Sequence, residues 1–196
     1  MAISRRSLLT WLGSAASAGL LGSAAPRAEH EAHAGMGEVC FQAPPTPYDP
    51  ASGLGPAAAR ALPERARCPV CGMFPARAPA WAAQLIYADG DAYFFDSPDS
   101  LLRYLQAPAR YTPGRQAGEV LAAYVRDMAS GAWLAAQAAI YVQGSALLGP
   151  MRTPNLPAFA DAAAARRFIA ERRGEMQTWA RLCPQQSGIW RPQART

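Results

Sequence analysis

The chain has 196 residues, 51% of them hydrophobic, and a formal net charge of +5. That suffices for one ordinary domain or two small ones. Many of the apolar residues are alanine, so a core must lean on the aromatics and on Leu, Ile and Val. All 19 basic residues are arginines scattered along the chain, without a basic stripe interleaved with aromatics. This argues against nucleic acid as a partner and leaves open a basic face that meets an acidic protein.

The chain opens on Arg5-Arg6 followed by a weakly apolar run, Leu8 to Leu21, rich in Ala, Gly and Ser. A basic start, an apolar middle and a small-residue end predict a cleaved export signal over residues 1–34, similar to the twin-arginine type. Cleavage fits best after Ala34, with Ala24 as the second choice. The apolar run is about 14 residues, short of the roughly 20 that span a bilayer, so no integral membrane span is expected. No cysteine sits where a lipoprotein signal needs one, which predicts a soluble protein in the periplasm or outside the cell. His30 and His33 are the only histidines, and cleavage at Ala34 removes both.

Residues 35–66 carry six prolines and read as an extended linker or a surface strap, with the ordered domain expected from Arg67. Trp81–Ala88 and Ala92–Phe95 are strand candidates joined by Asp89-Gly90, a strong hairpin signal. Ser97 then caps a helix with Pro98 at its first position, and the helix stops before Pro108. The segment Gln106–Gly118 reads as a loop. Leu121–Arg126, Trp133–Leu134 and Ala139–Gln143 follow as strands. Asp161 caps an alanine-rich helix that runs to about Arg173 and stops at Gly174. The order predicts an α+β chain of two small ββα-type units, 67–110 and 119–181, with 182–196 as a tail.

Chemistry concentrates in Cys68-Pro69-Val70-Cys71-Gly72-Met73. Two thiols two residues apart can face one ion, and Gly72 lets the backbone curl so that Met73 joins them. Thiolate and thioether are soft donors that favour Cu(I). Met151, in the irregular loop after Gly149-Pro150, is a further sulfur candidate. Met128, in a hairpin turn, and Met176, after the last helix, are weaker ones, because a lone methionine is more often core filler. Two alternatives stay open for Cys68 and Cys71. One is a permanent disulfide, with a Cys40–Cys183 bridge beside it. The other is thiol–disulfide exchange, against which no helix is expected to start at Cys71. Asp96 and Asp127 read as turn or cap residues. No nucleophile motif or phosphate loop is present, so no enzyme is expected.

Cys71-Gly72-Met73, Tyr93-Phe94-Phe95-Asp96, Tyr124-Val125 with Asp127, Gly131 and Trp133, Tyr141-Val142 with Gly144-Ser145, Pro150-Met151 and Pro157-Ala158-Phe159 together resemble the NosL family. These are copper chaperones accessory to nitrous oxide reductase. The resemblance spans about Arg67 to Arg181 and implies a fold similar to that of organomercurial lyase. It implies about one Cu(I) per chain, delivered for the reductase's copper–sulfide centre beside an ABC-type assembly complex. By position it implies Cys71, Met73 and Met151 as metal ligands, with Cys68 as an added candidate. The chain departs from the family where Arg152 replaces a usual glycine, where Arg172-Arg173-Gly174 replaces a usual His-Gly-Gly, and in lacking a lipid-accepting cysteine.

Overall fold

The computed structural model describes residues 43–184. The expected export signal, both histidines, Cys40 and the tail from residue 185 lie outside the described residues.

The first sheet starts from the predicted hairpin. Strands β1 (Ala83–Tyr87) and β2 (Ala92–Phe95) pair antiparallel, Ala83 opposite Phe95. Gly90 turns the chain at φ 89°, and a Cβ there would stand 2.7 Å from the Tyr48 side chain. Glycine is required both by the backbone and by this close approach. Arg115 clips the turn through ion pairs to Asp89 (2.5 Å) and Asp91.

Helix α1 (Pro98–Gln106) follows at once. Ser97 Oγ accepts from the Ser100 N–H at 3.2 Å, and Asp99 pairs with Arg103 one turn on at 2.7 Å. Its buried face holds Leu101, Leu102, Tyr104 and Leu105. The expected loop 106–118 contains a short helix, α2 (Pro108–Tyr111), with Pro108 at a first-turn position, where a missing N–H costs nothing.

Strand β3 (Val120–Arg126) pairs with β1, and β4 (Trp133–Ala135) with β3, giving the sheet order β2-β1-β3-β4. The second sheet has the order β6-β5-β7, from β5 (Ile140–Gln143), β6 (Ala158–Phe159) and β7 (Glu175–Thr178). Helix α3 (Ala162–Arg172) is capped by Asp161, whose side chain accepts from Ala164 N–H at 2.8 Å. A four-residue helix, α4 (Trp179–Leu182), closes the described chain. The sheets thus divide after β4, because β3 and β4 add to the hairpin that precedes the loop.

β1 is buried along its whole length. Leu85 and Tyr87 face α1 in a cluster with Tyr93, Phe95, Leu101 and Tyr104. Ile86 faces the other way, with Phe94 and Ala122, and is covered by Ala57, Leu62 and Ala66. Residues 43–66 therefore lie as a strap across the outer face of the sheet. Thr46 and Ala92 exchange backbone hydrogen bonds of 2.8 and 2.9 Å. Gln84, fully buried, accepts from Arg60 N–H at 2.9 Å and donates to Arg60 O at 3.2 Å. The Arg60 guanidinium reaches Thr46 O and Gly90 O at 3.0 and 2.5 Å, fastening strap to hairpin.

Candidate metal centre

Cys68 to Met73 form a tight knuckle. Cys68 N–H donates to Met73 O and Gly72 N–H to Cys68 O, both at 2.8 Å. Closing so small a loop puts Gly72 at φ 72°, the left-handed region that glycine enters without strain. No helix starts here. Cys68 is fully buried and belongs to the same core as Leu85 and Tyr87, whereas Cys71 is half-buried at the surface of that core.

β2 delivers the third group. Its end places Asp96 immediately before the Ser97 cap, 4% exposed. The sulfurs of Cys68 and Cys71 and a carboxylate oxygen of Asp96 lie within 4.8 Å of one another. Asp96 Oδ1 is buried with no hydrogen-bond partner. A buried polar atom left unsatisfied is costly and marks a place where a proton or an ion is expected.

The sulfurs are not equivalent. The Cys71 thiol hydrogen-bonds to Cys68, and this bond first of all pulls Cys68 below the ordinary cysteine range, against the effect of burial. The N–H groups of Asp96 and Val70 also point at the Cys68 sulfur. The same sulfur–sulfur bond, followed by burial, pushes Cys71 well above the ordinary range. Of the pair, Cys68 is therefore the sulfur that takes negative charge first, and Cys71 the one that keeps its proton. The start of α1, which brings Ser97 and Ser100 to the site, favours that charge through its dipole.

A cavity of about 230 Å³ opens beside Cys71. Cys71, Asp96, Ser100, Arg103, Met151 and Thr153 are on its wall. Met151 is 58% exposed. Its loop is a tight turn in which Arg152 N–H donates to Gly149 O at 3.1 Å. Pro150 suits the first central position, while Met151 occupies the second at φ 61°, ψ 11°, where glycine is favoured. Gly149 packs so closely on Asn155 that a Cβ would stand 2.4 Å from its Nδ2, which fixes the loop's base.

Of the predicted sulfur donors, Cys68 and Cys71 thus come together, and Met151 shares a cavity wall with Cys71. Met73 is half-buried and shapes the knuckle through its backbone, its N–H pointing at the Cys71 sulfur. Met128 packs against the second-sheet cluster, and Met176 is exposed on β7. Asp96 was expected to be a turn or cap residue. The cap is Ser97, and Asp96 turns inward beside the thiols. Asp127 does hold a turn, accepting from Ser130 Oγ at 2.6 Å and Ser130 N at 3.2 Å.

Fold and site together define a small α+β domain that gathers two thiols and a carboxylate beside a cavity with a thioether on its wall. Residues 59–186 match the NosL family, and the chain belongs to it. Its fold is similar to the crystal structure of the copper chaperone NosL from Shewanella denitrificans, with a TM-score of 0.51 and 23% identity. The likeness covers 64% of this chain and 95% of that one. No curated protein sequence matches the chain. Among the described residues, no helix is long and apolar enough to cross a membrane.

Proposed function

We propose that this protein is a periplasmic Cu(I) carrier and not an enzyme. It holds about one ion per chain and hands it on for assembly of the copper–sulfide centre of nitrous oxide reductase, beside an ABC-type assembly complex. Family membership supports the class. The observation that carries the reading is the convergence of both thiols and the unpartnered Asp96 oxygen within 4.8 Å, under a cavity lined by Met151. Two sulfurs from the knuckle and one thioether suit a soft monovalent ion. Cys68, Cys71, Met151 and the neighbouring Met73 are the ligands of this reading, with Asp96 as an oxygen donor behind them.

The gradation of exposure suits a carrier better than a store. Cys68 is buried, Cys71 half-buried and Met151 open to solvent. An acceptor's sulfur can displace Met151 first and Cys71 next, so the ion is never bare. Titration of the reduced protein against a Cu(I) chelator tests this. One equivalent should be retained, and Cys71→Ala should weaken retention by more than about tenfold, or roughly 1.4 kcal/mol. Parent-like retention by that variant rules the assignment out.

One observation favours a second reading. A carboxylate beside two thiols is also the equipment of thiol chemistry, disulfide exchange or carbon–metal bond cleavage. Turnover of a disulfide or an organomercurial by the metal-free protein would establish it, and none is expected.

A further inference from the structure

Arg152 has no role in the site as described, yet its backbone sits at φ 57°, a conformation that disfavours side chains. Strain of this kind clusters where a side chain is needed for function. Arg152 is exposed and stands between Met151 and Thr153, both on the cavity wall. Among the described residues, no carboxylate lies within 4.0 Å of it. Arg77, also exposed and without a carboxylate, lies over the Phe74 ring at 5.0 Å, and Arg67 over the same ring at 4.1 Å. Phe74 follows Met73 directly, and Arg67 donates to Gly72 O at 3.3 Å, so this pair flanks the knuckle. Arg103, on the cavity wall, is engaged by Asp99. The acids on the cavity wall are Asp99, already paired, and Asp96, buried with the thiols. Exposed Leu148 and Met151 add apolar surface to the same loop. Arginine, methionine and an aromatic ring are the residues enriched in protein interfaces.

We propose that Arg152, in the loop on the cavity wall, and Arg77, over the ring that follows the knuckle, form the docking contact for an acidic surface on the protein with which this chain exchanges its ion. The proposal rests on the carrier reading for what is exchanged, but the docking contact is open to a separate test. Placed beside the outermost ligands, these charges would steer an acidic acceptor so that its donor meets Met151 and Cys71 first. An exposed rim also makes the contact sensitive to salt.

Two cysteine-free peptides of equal length serve as probes, one rich in Asp and Glu, the other with Asn and Gln in their place. Binding to the reduced, metal-free protein is read by fluorescence anisotropy. The acidic peptide should bind at least about tenfold more tightly at low salt, with the difference vanishing near roughly 0.5 M salt. An R77Q/R152Q variant should lose most of this preference. Arg152→Gly, which removes the charge and relieves the backbone together, should lose part of it without loss of fold. R166Q/R167Q, an equal charge change on exposed α3, should keep it. The proposal is overturned if neither peptide is preferred, or if the α3 variant loses the preference equally. It is also overturned if R77Q/R152Q keeps the preference but binds Cu(I) more weakly, because the arginines would then serve the ion within the chain. A protein that prefers the acidic peptide but retains no copper would sink the carrier reading and leave the docking contact standing.

Discussion

Met151 occupies a backbone conformation in which a side chain costs about 1–2 kcal/mol relative to glycine. Met151→Gly should therefore raise stability by about 1 kcal/mol in a urea melt while weakening Cu(I) retention. A variant that gains stability and keeps its copper would show that the thioether is not a ligand. The thiols offer a second check. Cys68 is drawn below the ordinary cysteine range by the Cys71 hydrogen bond, and Cys71 is pushed above it. Ultraviolet thiolate absorbance of the metal-free protein should show one thiolate of this pair appearing below the ordinary range and the other staying protonated through it. In Cys71→Ala the first step should move upward, because its hydrogen-bond donor is gone. A depressed Cys68 stabilises the fold above the unfolded cysteine value, and that contribution fades as pH falls through the lowered one. That Cys68 and Cys71 face each other was legible from their spacing, and Met151 was singled out by its loop. Asp96 was not, because nothing local separates a carboxylate that caps a helix from one that turns inward one position earlier.

Asp127 joins the two sheets. Beyond its own turn it accepts from Ala160 N–H at 3.2 Å, while Met128 N–H donates to Ala158 O at 2.8 Å, tying the β3–β4 turn to β6. Burial opposes its ionisation, but the Ser130 hydroxyl and the converging N–H groups outweigh that and hold its carboxyl below the usual range. Its stabilising effect is complete above the ordinary Asp value and is lost as pH falls through the lowered one. Asp127→Ala should cost about 2–3 kcal/mol at neutral pH by thermal melting, and less as pH falls through the lowered carboxyl value, where the parent loses the ionised acceptor. The β1–β2 hairpin and helices α1 and α3 were readable because their signals are local: Asp89-Gly90, Ser97-Pro98 and Asp161. β6 and β7 were not. β6 has two residues and so no periodicity, and β7 reads Glu-Met-Gln-Thr, a polar stretch made a strand by pairing with β5. The strap 43–66 held no periodic signal either. Its place comes from the exchange between Arg60 and a glutamine in β1, two residues remote in sequence.

The proposed centre draws on three separate stretches: the knuckle, the β2–α1 junction and the Met151 loop. Only the first is intact in an unfolded chain, so the ion prefers the folded state and should stabilise it. At free Cu(I) one hundred times the dissociation constant, the gain is about 2.7 kcal/mol. Calorimetry should show a higher Tm on loading the parent and little change in Cys71→Ala. An equal rise in both would place the ion elsewhere. This same dispersal explains why family resemblance, through the order of many weak motifs, conveyed the architecture better than any one motif did.

In the proposed carrier Cys68 is at once a sulfur donor and a member of the apolar core, where a change of charge is expensive. Once Cys68 has given up its proton, the two sulfurs share the one that remains. A cuprous ion that takes its place between them brings the same unit charge, so the interior is electrically the same before and after the exchange. Loading and unloading then amount to trading one monovalent cation for another. The low-dielectric surroundings that would penalise a divalent metal would leave this trade almost unopposed, and a carrier so built would select by charge as well as by softness.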